Sequence, residues 1–177
     1  MRLALAFLLF ASSAFAQSQS VSPAATSCGP SDVKFDVKHQ YTREPVGQVE
    51  PGKALVYVIE VFQKPPGELG NPTIRVGLDG SWIGANQGTS YLSFNVDPGE
   101  HHLCTNWQSV WKRLSTQHSL TSFTAEPGKT YFFRVQTHVE SEGRDSQIWY
   151  IDLQPVNADE GKYLIASSPL SVPQPKK

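Results

Sequence analysis

The 177-residue chain carries almost no net charge, because 15 Lys and Arg stand against 16 Asp and Glu. Runs of like charge never exceed two residues, as at Lys112-Arg113, Asp159-Glu160 and the terminal Lys176-Lys177. Nucleic acid and anionic membranes are recognised by a concentrated basic face, so neither is an expected partner. Apolar runs are short: the stretch from Leu3 to Phe10 falls well below the roughly 20 residues of a membrane-spanning helix, and no later stretch approaches that length. Catalytic signatures are missing too. No G-x-S-x-G or H-E-x-x-H occurs. "SVWK" at 109–112 has the S-x-x-K spacing of penicillin-binding proteins, without the S-D-N and K-T-G elements that accompany it. "PGKT" at 127–130 lacks the upstream Gly of a phosphate-binding loop, since Phe123 stands there. Sequence reading therefore assigns no catalytic residue and no cofactor. Cysteine is scarce, with Cys28 and Cys104 alone, and no C-x-x-C spacing suggests a metal site.

What is present begins with "MRLALAFLLFASSAFA": one Arg, a short apolar core and an A-x-A exit. This pattern describes a secretory signal peptide over residues 1–16, cleaved before Gln17. Loss of Arg2 takes the net charge from −1 to −2. Gln17, not Cys, stands immediately after the expected cleavage site, so a lipid anchor is not expected. Export to the periplasm or the extracellular space makes a disulfide the default reading of two cysteines. A Cys28–Cys104 bridge would tie the segment 17–49 to the core. The loop it closes is worth roughly 4 kcal/mol in the chain-entropy account.

Proline-glycine turns organise the rest. "EPGK" at 50–53, "DPGE" at 97–100 and "EPGK" at 126–129 each launch an apolar or aromatic run. Pro presets the φ of turn position i+1, and Gly supplies the positive φ of i+2. Asp79-Gly80, inside "TIRVGLDGSWIGA", suits a two-residue type I′ hairpin. With that loop, Ile74, Val76, Leu78 and Ile83 share the core face, and Trp82 falls on the other face opposite Gly77. Alternation also points Leu92, Phe94 and Val96 inward, then Tyr131, Phe133 and Val135, then Trp149, Ile151 and Leu153. Val110, Leu114, Leu120 and Phe123 make a weaker series, read as strand plus loop. "ALVYVIEVF" is apolar on both faces except at Glu60, which suits a central strand. Asn157 followed by Glu160 is a capping-box arrangement for one short helix, which Gly161 weakens.

These signals predict an all-β fold, an antiparallel β-sandwich of about eight strands with at most one short C-terminal helix. A closed β-barrel is the alternative. The sandwich domain is expected over 50–168, with a flexible Pro-rich tail over 169–177.

Two sets of residues remain as candidates for chemistry. In "DPGEHHLC", His101 and His102 point to opposite faces of a strand, so they cannot share a metal ion without a distortion. A metal site on His102 would need His118 or His138 to converge on it. Aromatic residues are the stronger hint. Trp82, Trp107 and Trp111 could stack on sugar rings if exposed together, whereas burial would make them core or glycine covers.

The order of "PGKALVYVIEVF", "TIRVGLDGSWIGANQGTSYLSFNVDPGEHHLC", "FTAEPGKTYFFRV" and "DEGKYLIASSPLS" resembles secreted bacterial proteins of the domain of unknown function 2846 type, over roughly residues 50–168. The middle segment is similar to the PEGA-type surface module. The resemblance implies an envelope or secreted β-sandwich and carries no catalytic residues. Three functional readings follow: a non-enzymatic exported protein that binds a protein or another envelope component, a carbohydrate-recognition module using Trp82, Trp107 or Trp111, and a metal-dependent enzyme built on His102.

Overall fold

The computed structural model describes residues 28–63, 70–141 and 147–176; the expected signal peptide, residues 1–16, lies outside them. The EPGK turns form as their chemistry dictates. Gly52 and Gly128 adopt φ of 79° and 78°, and Lys53 and Lys129 close the turns by donating to the Glu50 and Glu126 carbonyls. Each starts a strand, β2 (Ala54–Phe62) and β8 (Thr130–Ser141). The turns lie side by side, with Gly128 N–H donating to the Lys53 carbonyl, so the two strands leave in the same direction and pair in parallel from Leu55↔Thr130 to Phe62↔Thr137.

Eight further strands complete two sheets. They are β1 (Phe35–Gln40), β3 (Thr73–Leu78), β4 (Ser81–Gln87), β5 (Ser90–Val96), β6 (Gly99–Trp107), β7 (His118–Ala125), β9 (Gln147–Val156) and β10 (Leu170–Pro175). A six-stranded sheet runs β1-β10-β5-β2-β8-β9 and a four-stranded sheet β4-β3-β6-β7. The result is a sandwich-like all-β fold with both sheets open, which corrects the barrel alternative. The purely antiparallel expectation is corrected as well, because β2–β8 and β10–β5 pair in parallel. Parallel neighbours so far apart in the chain leave no local signature.

The core fills the space between the sheets. Val56, Val58, Ile74, Val76, Leu103, Phe133, Val135 and Leu153 are buried there, joined by Leu92 and Val96. The outer face of the larger sheet carries a second cluster, Leu55, Tyr57, Ile59, Tyr91 and Phe132, covered by Ile165 of helix α2 (Ala158–Ala166). Asn157 caps that helix by accepting from Glu160 N–H at 2.9 Å. Gly161 does not shorten it, because a Cβ there would strike the Phe132 ring. Close packing accounts for the glycine.

Residues 28–34 cover the outer face of the smaller sheet. Cys28 and Cys104 are bridged, with Cα atoms 5.4 Å apart. Arg75 donates to the Ser31 and Val33 carbonyls and to the Asn106 side chain, with its guanidinium 4.4 Å from the Trp82 ring centre. Trp82 donates through Nε1 to the Pro30 carbonyl at 2.7 Å and covers Gly77 and Gly29.

Several expectations change at the edges. Residues 170–175, expected to be frayed, form β10, which pairs along its length with β1. The ordered domain therefore extends beyond 50–168 at both ends, since β1 lies within 17–49. Ile83 is half exposed instead of core-facing, because a bulge between Val76 and Gly77 shifts the register so that Val76 faces Gly84. Leu120 and Val110 are exposed, and a one-turn helix α1 (Lys112–Ser115) precedes β7.

Candidate binding cavity

At one end of the sandwich, β2 ends at Phe62, β3 begins after Pro72, β6 ends at Trp107 and β9 brings in Trp149. These bound a cavity of about 550 Å³, completed by the loop of Ser109, Val110, Trp111 and Leu114. Trp107 and Trp149 meet edge to face, with ring centres 5.9 Å apart at 88°. Trp107 is 3% exposed and belongs to the core, whereas Trp111 is 69% exposed. The three tryptophans thus grade from floor to rim. Trp111 is anchored locally, as its carbonyl accepts from Leu114 and Ser115 N–H at 3.0 Å and its own N–H donates to Ser109 Oγ at 3.1 Å. The Lys112 side chain lies outside the described residues. Gln108 fixes the loop to β1, accepting from Phe35 N–H at 2.6 Å and donating to the Phe35 carbonyl at 2.8 Å. Asn71, Thr73 and Ser109 supply polar groups around the apolar walls.

Of the tryptophans singled out in the sequence, Trp107 and Trp111 meet at this cavity. Trp82 does not line it and serves the N-terminal clamp instead. Trp149 is the partner sequence reasoning left out of the site, since its alternation with Ile151 and Leu153 marked it as core. That alternation is real, because all three pack against the inter-sheet cluster.

The histidines do not come together. His101 and His102 sit in register with Phe123 and Ser122, His118 lies opposite Asn106, and His138 belongs to the other sheet, stacked on Tyr150 at 5.0 Å. His39 Nε2 lies 2.9 Å from the Gln87 carbonyl. His101 joins two turns: Nδ1 lies 2.7 Å from Asp79 Oδ2 and Nε2 lies 2.7 Å from the Asp97 carbonyl. Burial alone would lower its pKa, but these acceptors outweigh it and raise the pKa above the usual histidine value. Burial would raise the Asp79 pKa, but His102 N–H at 2.8 Å and His101 bring it below the usual carboxylate range. Among the described residues no three His, Cys, Asp or Glu side chains cluster as a metal site would require. Nor is any described helix long and apolar enough to cross a membrane.

One polar group behind the cavity stands apart. Glu60 points between the sheets, is fully buried, and neither carboxyl oxygen has a hydrogen-bond partner among the described residues. Burial raises its pKa well above the usual carboxylate value.

The chain matches no family model, no curated protein and no solved structure.

Proposed function

We propose that this chain is an exported, non-enzymatic β-sandwich that binds an envelope glycan through the tryptophan cavity. The observation that carries the reading is the convergence of Trp107, Trp149 and Trp111 on one opening with Asn71, Thr73 and Ser109 at its edges. Flat aromatic faces stack on the C–H faces of sugar rings, while amide and hydroxyl groups satisfy the sugar hydroxyls. A disulfide in a chain with a signal-like leader supports export, as does the resemblance to secreted proteins of the domain of unknown function 2846 type.

Tryptophan fluorescence titrated with cell-wall glycans and soluble polysaccharides tests it. Saturable quenching that Trp111→Ala abolishes is the expected result, and flat titrations across the panel overturn the proposal. A second reading, docking of a protein partner, draws on the exposure of Val110 (88%) beside Trp111. In that case pull-down by the wild type would be lost in Trp111→Ala while glycans leave the fluorescence unchanged.

A further inference from the structure

Four strands send polar side chains into the sandwich interior at the end that carries the cavity. Glu60 of β2 lies one inward-facing position from Phe62, which lines the cavity, a separation of about 7 Å along the strand. Thr137 of β8 is in register with Phe62. Asn86 of β4 and Trp107 of β6 flank Ile74 in the facing sheet, in register with it on either side. Asn86 Nδ2 bridges the two sheets by donating to the Val58 carbonyl at 3.0 Å, which sets its amide beside β2 near Glu60.

Both Glu60 oxygens, Asn86 Oδ1, Thr137 Oγ1 and Trp107 Nε1 are buried without partners among the described residues. Native interiors leave few such groups, and each needs a reason. This set is rich in acceptors. With the Glu60 carboxyl ionised, three carbonyl or carboxylate oxygens and a hydroxyl face one N–H donor, which belongs to a tryptophan of the cavity wall. An ammonium group is the complement: it offers three donors and a positive charge, and aromatic faces attract it as well.

We infer that the glycan bound at this cavity bears a free amino group, with the ammonium received by Glu60, Asn86 and Thr137 behind the tryptophan rings. This inference rests on the glycan reading above. Burial disfavours the Glu60 carboxylate in the free protein and raises its pKa well above the usual value. The arriving ammonium favours the carboxylate, so the proton that the carboxyl carries leaves to solvent as the ion pair forms, up to one for each amino group taken up. Among the described residues no charged side chain pairs with Glu60, and its strand neighbours are Ser90 and Val135.

The test titrates the full chain with glucosamine oligomers and with N-acetylated oligomers of equal length, using tryptophan fluorescence. Calorimetry in two buffers of different ionisation enthalpy reads the proton. The wild type should prefer the amino oligomer by tenfold or more and release close to one proton. Glu60→Gln should lose both the preference and the proton release, with its near-ultraviolet circular dichroism reporting a folded protein. Thr137→Val should lose part of the preference. Equal affinities in the wild type, or a preference that survives in Glu60→Gln, would overturn the inference while leaving glycan binding intact. Binding of neither oligomer, with flat titrations across the wider panel, would overturn both.

Discussion

Glu60→Gln should weaken the fall of stability with pH between pH 5 and pH 7. In the native state the Glu60 carboxyl is fully buried and its pKa is raised well above the ordinary value by desolvation. In the unfolded chain the same group ionises near pH 4.3. Between that value and the raised native pKa the native state holds a proton that the unfolded state has lost, so stability falls as pH rises. The slope is about 1.4 kcal/mol per pH unit, and the loss is at most about 3 kcal/mol across the two units. The contribution is fully present below the unfolded value and disappears as pH climbs through the folded one. Glutamine keeps the shape and removes the titration, at the cost of a buried amide without partners. The variant should therefore equal the wild type or fall below it at pH 5, and gain on it as the pH rises to 7. His101 adds a slope of the same sign in both proteins, so the difference between them isolates Glu60. Urea unfolding followed by tryptophan fluorescence at pH 5, 6 and 7 measures it. Parallel stability curves for the two proteins would refute the buried, proton-holding carboxyl.

Other perturbations have separate readouts. Replacing both cysteines by Ser should cost roughly 4 kcal/mol, because the bridge spans a sequence separation of 76, and the urea midpoint of the wild type should fall to that of the variant when reductant is added. Trp111→Ala should leave the melting temperature within a degree or two and abolish glycan quenching, whereas Trp107→Ala should cost about 3–5 kcal/mol by emptying core volume. Gly77→Ala should destabilise, since its Cβ would meet the Cys28 carbonyl and crowd Trp82; calorimetric melting would show a lowered midpoint. His101→Gln should flatten the loss of stability that the wild type shows as pH rises from 6.5 through the raised histidine pKa, read by thermal melts at pH 6 and pH 8.

Elements whose signals are local were legible in the chain. The EPGK turns, the type I′ hairpin at Asp79 (φ 50°) and Gly80 (φ 81°), the Asn157 cap and the inward alternation of β5, β8 and β9 all follow from side chains within a few residues. Trp82 opposite Gly77 was legible for the same reason, because a two-residue loop sets the register. The bulge that turns Ile83 outward was not, since nothing in "SWIG" distinguishes a regular strand from one with an extra residue. Strand β10 was hidden by its own composition. Pro173 and Pro175 read as a tail, yet β10 has β1 on one side and meets β5 only at Leu170↔Tyr91, so missing N–H donors there break little of the ladder. The parallel pairing of β2 and β8 depends on two identical turns lying side by side, a relation between sites more than 70 residues apart.

The two candidate sites were legible to opposite degrees. "DPGEHHLC" concentrates metal-ligating residue types within eight positions, but strand geometry disperses them: His101 clasps two turns, Cys104 closes the disulfide, and His102 N–H satisfies Asp79. The cavity does the reverse. Its walls come from Phe62, Trp107, Trp111 and Trp149, which look like ordinary strand and loop aromatics until the sheets close around them. Even the buried acid behind it read first as a lone exception in an apolar strand. Its meaning comes from what the other strands bring to the same end, unpartnered acceptors from Asn86 and Thr137 and an indole N–H from Trp107. A fold could remove such groups by substituting apolar side chains of similar size at little structural cost. Keeping four of them on strands that run to one aromatic opening is the arrangement expected of a site whose remaining hydrogen bonds are made by a ligand.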